Sequence, residues 1–379
     1  MGGLGVAMQE YNYLNFVNPA SVANLRVTTY TVAGQTSFLT LKDNKASQSG
    51  HTTELSYIAL GFPLGKKAGF TLGLQPLTSI GYSFTNEQTD NNQIRKLTRY
   101  KGKGGANRLY GNFGINVYEG LSIGLEGAFI FGNVQKTIIE SKKGVVSSTK
   151  YESDATLRGL EVKTGIQYKT NLSKGYQLHT GLAVKFGGNL KNSGEEKMYS
   201  LIYNNSGYEI PKNTLYDRSF KRDIKIPVSI VAGVGFGKVN KWYLGLNSEY
   251  QRPQESIKVD NMRYEEVLRT SFGGYYIPKI NSISSYWDRV TYRGGLRFER
   301  TGLMLKGANS QQNFSSINDF GINVGLGLPL PNQLSNVNLG FEYGQRGTTT
   351  NNLVKENYFN VKLSLSLNSL NWFIKRKID

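Results

Sequence analysis

The amino-acid sequence predicts an all-β fold: a transmembrane antiparallel β-barrel of about 14 strands, with a short N-terminal segment in its lumen. Three observations predict it. Apolar residues alternate with small or polar ones at a period of two over strand-length runs. The connections between those runs alternate short and long. The 379 residues include 44 Gly, 24 Tyr and 18 Phe but only 9 Pro and no Cys, a β-rich composition.

The alternation is plainest in the C-terminal half. At 224–236, Ile224, Ile226, Val228, Ile230, Ala232, Val234 and Phe236 oppose Lys225, Ser229, Gly233 and Gly235. At 320–328, Phe320, Ile322, Val324, Leu326 and Leu328 oppose Gly321, Asn323, Gly325 and Gly327. At 337–344, Val337, Leu339, Phe341 and Tyr343 oppose Asn338, Gly340, Glu342 and Gly344. Extending the pattern gives strands near 27–41, 53–62, 68–85, 106–117, 121–138, 156–169, 176–187, 223–237, 241–252, 286–299, 302–308, 318–328, 336–345 and 354–368.

The intervening segments then sort by length. Short turns are expected at 63–67, 118–120, 171–175, 238–240, 300–301 and 329–335, and long polar loops at 42–52, 86–105, 139–155, 188–222, 253–285, 309–317 and 346–353. With short turns periplasmic and long loops outside, an even strand count puts both termini in the periplasm of a bacterial outer membrane. Tyr57, Phe62, Tyr82, Phe84, Trp242, Tyr250, Trp287, Tyr292, Tyr343, Tyr358 and Trp372 fall near strand ends, as an interfacial girdle requires. No apolar run reaches the ~18 residues of a membrane-spanning helix. Met1 to Gly5 lacks the basic and apolar regions of a signal peptide, so the chain reads as a mature product whose export signal has been removed.

Composition also excludes functions. Without Cys there are no disulfides, thiolate metal sites or cysteine nucleophiles. The two histidines, His51 and His179, are far apart, match no zinc-ligand spacing and adjoin no nucleophile elbow, so no catalytic residue, metal or cofactor is assigned and the chain is not read as an enzyme. The net charge of +18 is spread over turns and loops, as at Lys66-Lys67, Lys142-Lys143 and Lys375-Arg376-Lys377, and forms no nucleic-acid-binding module. The expected anionic partners are outer-membrane lipid and lipopolysaccharide.

Residues 1–26 do not read as a strand and residues 27–379 form the barrel. Gly2, Gly3 and Gly5 are followed by Tyr11, Tyr13 and Phe16 and then by Asn18-Pro19-Ala20-Ser21, which is turn chemistry carrying apolar side chains that need burial. A lumen hatch is the expectation. Met1-Gly2-Gly3-Leu4-Gly5-Val6-Ala7 with Asn18-Pro19-Ala20-Ser21 resembles the N-terminal hatch of the FadL family of outer-membrane transporters for hydrophobic compounds. Tyr292-Arg293-Gly294-Gly295, Thr301-Gly302-Leu303, the run from Gly344 to Thr349 and the run from Asn371 to Lys377 resemble a branch of the same family. The resemblance implies a fourteen-stranded barrel, a hydrophobic pocket above the hatch and a lateral exit at a kinked strand.

Further candidates follow from parity. Glu126, Glu161, Lys163, Lys185, Glu249, Arg293, Arg297, Glu299 and Glu342 should face the lumen, as a network holding hatch to wall. Pro76 and Pro227 fall inside expected strands and must mark irregular positions. Two functions lead, ahead of a general porin or another outer-membrane role. One is uptake of a hydrophobic small molecule through a hatch-gated lumen. The other is a non-transporting subunit of a larger outer-membrane complex, such as a type 9 protein secretion translocon, with protein partners on the aromatic-bearing segments 188–222 and 253–285.

Overall fold

The computed structural model describes residues 1–89, 95–254, 261–307, 314–331 and 334–370. Seventeen strand segments form one antiparallel sheet. The chain runs up and down through β1 (Thr28–Lys42), β2 (Ser47–Leu64), β3 (Ala68–Thr89), β4 (Arg95–Tyr118), β5 (Leu121–Lys142), β6 (Ser148–Asn171) and β7 (Tyr176–Lys185). Next come β8 (Gly188–Tyr203), β9 (Glu209–Ile226), β10 (Ser229–Lys238), β11 (Trp242–Gln251), β12 (Met262–Tyr264) and β13 (Val267–Tyr276). The last are β14 (Thr291–Lys306), β15 (Phe314–Pro329), β16 (Asn336–Gly347) and β17 (Lys355–Ser369).

These segments make a closed barrel of 14 strands. β7 and β8 both pair with β6, so they are one interrupted strand, and β9 and β10 are the next, interrupted at Pro227. β12 and β13 both pair with β14. β17 closes on β1 from Thr28↔Ser369 to Lys42↔Lys355, which brings both chain ends to one end of the barrel.

Wall height is uneven. β3, β4, β5 and β6 have 22, 24, 22 and 24 residues, whereas β10, β11 and β13 have 10 each. About 9–11 residues cross a membrane, so the short strands just span it. β3, β4, β5, β6, β8 and β9 instead rise as a tall sheet at the end away from the termini. Exposed apolar side chains such as Phe113, Leu125, Leu160, Phe236, Leu246, Leu296, Val324 and Leu363 form the outer belt, as expected of strands with lipid on one face.

The count of 14 is reached by a different path from the sequence reading. The expected strands 286–299 and 302–308 are one strand, β14, and the turn expected at 300–301 is a bulge where pairing with β15 jumps from Arg300 to Met304. Gly302, with φ of 71°, supplies the turn-like chemistry there. The expected loop 253–285 contains β12 and β13. Their outward positions include Thr270 and Gly274 beside Leu268 and Phe272, too weak an apolar alternation to stand out. The connection 277–290 therefore lies at the termini end and is long, which breaks the strict short and long alternation. Most other long loops are ladder as well, and 188–222 is largely the hairpin of β8 and β9. Ile224, expected in the lipid belt, pairs with Leu190 in that hairpin.

Candidate functional site

Residues 1–27 lie inside the barrel. Their only regular element is a 3-10 turn, Pro19–Asn24, with Asn18 as its N-cap and Pro19 to Ala23 buried. Proline at the first position and a side-chain acceptor at the cap form this turn locally. Asn18 is fully buried; its amide donates to the carbonyls of Val6 at 2.8 Å, Ile166 at 3.0 Å and Leu182 at 3.3 Å, and its Oδ1 accepts from Ala20 N–H at 3.0 Å. Gln167 donates to Val6 O and Met8 O, Lys163 to Phe16 O and Asn116 to Ala23 O.

Glycines on the tall wall make this close approach possible. Gly69, Gly114, Gly124, Gly165 and Gly181 face the segment so closely that a Cβ on any of them would meet Val22, Pro19, Ala20, Asn18 or Val6. Across the lumen, Gly2 takes φ of 61° and donates its N–H to Asn323 Oδ1 at 2.7 Å, while Gly3 takes φ of 96°. Gly5 packs beneath Val17 and Asn15.

The segment leaves a cavity of about 1160 Å³ on the opposite side. Its floor includes Leu4, Met8, Leu14 and Phe16, and its wall comes from β1, β2, β10, β11 and β13 to β17, with no residue of β3 to β9. That wall is charged. Arg297 holds Glu299 at 3.1 Å, Asp319 at 3.3 Å, Glu342 at 3.1 Å and the Tyr358 hydroxyl at 2.8 Å. Arg269 bridges Glu249 at 3.0 Å and Glu299 at 2.9 Å, Lys362 reaches Glu342 at 2.6 Å, and Arg346 reaches Asp319 at 2.9 Å. In this network four cations, Arg269, Arg297, Arg346 and Lys362, face four carboxylates, Glu249, Glu299, Asp319 and Glu342, so it is neutral. Arg293 differs: it donates to Asn338 at 2.8 Å and lies over the Tyr13 ring at 5.5 Å.

A second cluster sits on the tall wall above the turn, where Glu126 pairs with Arg108 and with Lys163 at 3.1 Å, and Glu161 reaches Arg108 at 3.4 Å and Lys185 at 3.9 Å. The structure thus divides the predicted lumen charges between two clusters. Arg108, Arg269, Asp319, Arg346 and Lys362 were missed. Lys362 was readable, because its neighbour Leu363 faces lipid; Arg269 was hidden in an expected loop.

The wall is open at one seam. β2 and β3 pair only from Leu64↔Ala68 to Ile58↔Leu74. Above that, β2 continues on β1 and β3 on β4, with a bulge at Pro76 to Thr78. Tyr57, expected in the girdle, lines the cavity instead, because a bulge in β2 opposite Ala33 and Gly34 reverses its face. Its ring lies 4.5 Å from Phe16, and Tyr110 lies 6.4 Å from Phe16 on the other side. Pro227 marks the break between β9 and β10 rather than an opening beside the cavity.

A family model, BamG, matches residues 1–379. The chain belongs to the BamG family. No curated protein sequence matches it. Solved structures match this BamG-family chain over nearly its whole length at low identity. The toluene transporter TodX of Pseudomonas putida matches with a TM-score of 0.64 and 13% identity, covering 97% of this chain and 99% of the other. The toluene transporter TbuX of Ralstonia pickettii gives 0.63 and 11%, covering 97% and 96%. A FadL homologue of Pseudomonas aeruginosa gives 0.58 and 11%, covering 93% and 92%. The fold is that of FadL-like outer-membrane barrels.

The two histidines do not meet: His51 is exposed on β2 beside Phe38, and His179 is buried on β7 against Tyr243. The run from Asn371 to Lys377, including Trp372, lies outside the described residues.

Proposed function

We propose that this BamG-family chain is a barrel subunit of a larger outer-membrane assembly, with both termini in the periplasm, the tall sheet outside the cell and residues 1–26 seated in the lumen as a hatch. The observation that carries this reading is the free edge of β3. From Gln75 to Thr89 the strand pairs with β4 alone, and among the described residues its other edge has no ladder. Glu87 is its one charge, and Tyr82 and Phe84 are exposed along it. A long edge with so little charge is a template for pairing unless something covers it, and a strand from a partner protein supplies the missing hydrogen bonds. The interior supports the same reading. An apolar cargo would have to pass a wall of paired charges without gaining contacts there, and those charges already satisfy one another.

The test uses the absence of cysteine. A single cysteine in place of Ser83, carrying a photocrosslinker, is activated in native membranes before gentle detergent extraction. Crosslinking to a stoichiometric protein is the expected result. A lone barrel with crosslinks to lipid only would overturn the reading.

A second reading is favoured by one observation: the seam between β2 and β3 opens beside Phe16 and Tyr57 at the edge of the cavity. Uptake of a small hydrophobic or amphipathic molecule would use that seam as a sideways exit into the membrane. Retention of a lipid-like ligand in the purified lone barrel would favour it.

A further inference from the structure

The outward face of the tall sheet carries basic side chains that belong to neither charge cluster. On β4 the odd-numbered residues face out: Phe113 and Leu109 lie in the apolar belt, and the same row continues upward as Lys103, Lys101 and Arg99, all exposed. On β6, Arg158 is the next outward residue above Leu160, and it pairs across the ladder with the belt residue Phe131. Among the described residues none of these four cations is in an ion pair, whereas Arg95, Lys96, Lys150 and Lys197 of the same sheet each hold a carboxylate. β4 has no acidic residue. Of the acids flanking this row, Glu87 on β3, diagonal to Arg99, is held by Arg95, and Asp154 accepts from Gln135 at 2.8 Å.

Height above the belt selects the partner. Phe131 marks the top of the belt and faces Asn107 on β4, so Lys103 is two outward positions higher, about 13 Å along the strand at ~3.3 Å per residue. Strand tilt of roughly 40° reduces this to about 10 Å in height, and Arg158 sits at the boundary itself. Flexible aliphatic stems let such cations reach down to a headgroup layer. Alternate residues repeat every ~7 Å, which sets several positive charges against one polyanionic headgroup.

We infer that Arg99, Lys101, Lys103 and Arg158 form a docking surface for the phosphates of an anionic glycolipid in the outer leaflet. The inference rests on the orientation proposed above, so orientation is measured separately. A single cysteine in place of Val145, which is exposed next to the β5 to β6 tip, should react with a membrane-impermeant maleimide on intact cells. No reaction there would overturn both the orientation and the inference.

For binding, the full-length chain is reconstituted in phosphatidylcholine vesicles containing bisphosphorylated lipid A, then released for native mass spectrometry. Wild type should retain lipid A, and its affinity should fall at least tenfold in the R99Q/K101Q/K103Q/R158Q variant, at about 1 kcal/mol, or roughly fivefold, per basic residue near an anionic surface. Dephosphorylated lipid A should be retained no better by wild type than by the variant, and 0.5 M salt should weaken wild-type binding. Equal retention of the phosphorylated and dephosphorylated forms by wild type overturns the inference whether or not the variant folds. Preferential binding of polyglutamate over lipid A overturns it too, and identifies an acidic polypeptide as the partner.

Discussion

The tall wall, β3 to β9, and the short wall, β10 round to β2, hold the N-terminal segment in different ways. The tall wall presents glycines, so backbone meets backbone at Pro19, Ala20 and Val22 and the segment is fastened by Asn18, Gln167 and Lys163. The short wall touches the segment too, at Gly61, Gly233, Gly295 and Asn323, but it also presents long charged side chains, and beside them the cavity opens. Outside, the contrast is inverted: the short wall is little more than a lipid belt, while the tall wall carries unpaired cations and a free edge into solvent. One barrel thus lines its cavity with charge on the short wall and carries its outward-facing recognition chemistry on the tall wall, whose own inward charges close on one another as Arg108, Glu126, Glu161, Lys163 and Lys185. Residue size explains where the segment seats, since a glycine lets backbone approach backbone where a longer side chain would hold it off.

The largest expected effect tests whether the short-wall charges act as a unit. Arg297→Ala removes the cation shared by Glu299, Asp319 and Glu342; each keeps one other partner, Arg269, Arg346 or Lys362, so the loss falls at the low end for a broken buried pair, about 3 kcal/mol. Arg158→Ala, on the exposed tall-wall face, should stay within ~0.5 kcal/mol. Urea unfolding of both variants in the same detergent, followed by tryptophan fluorescence, measures the difference. Equal losses would mean that the two walls do not differ in electrostatic role.

A smaller effect belongs to the seat. Asn18→Ala removes three donated hydrogen bonds and the cap of the 3-10 turn, leaving buried carbonyls unsatisfied at about 1–3 kcal/mol. Hydrogen exchange across residues 19–25 should quicken about 5- to 100-fold while the barrel strands keep their protection. Unchanged protection of that segment would show that the glycine contacts alone hold it.

How much of this was readable beforehand follows from what each signal measures. Period-two alternation marks lipid on one face, so β15, β16 and β17 were legible from Phe320 to Leu367. The same signal fails where the outward face is wet. The upper halves of β3 to β6, with β8 and β9, rise beyond the apolar belt and read as polar loop. It fails again at bulges: Ser56 shifts Tyr57 from lipid to lumen, and Thr301-Gly302 mimics a turn inside β14. Parity assigned Glu126, Arg297 and Glu342 to the lumen, but a single sequence carries no information about which cross-strand neighbours meet, so the division into two clusters could not be read. The role of the wall glycines was also hidden, because a glycine in a strand looks the same whether it faces empty space or a buried backbone.

The smallest expected effect sharpens the comparison on the cavity side. Glu10 belongs to the lumen segment and accepts a hydrogen bond from the Tyr275 hydroxyl at 3.2 Å. Burial pushes its carboxyl above the ordinary value of 4.5, and the Tyr275 bond and nearby Arg293 oppose that shift only in part. A carboxyl held more strongly as the acid in the folded state favours seating below its unfolded pKa. That contribution is lost as pH rises through the raised value. The short-wall contact of residues 8–13 should therefore loosen as pH climbs from about 4.5, while the Asn18 bonds on the tall wall, made by an amide that does not titrate, stay unchanged. Hydrogen exchange corrected for intrinsic rates, measured in wild type and Glu10→Gln, separates the two. A pH dependence confined to residues 8–13 and absent from Glu10→Gln is the expected result. The same slope in both proteins would remove Glu10 as its source and leave the two walls with a common response to pH.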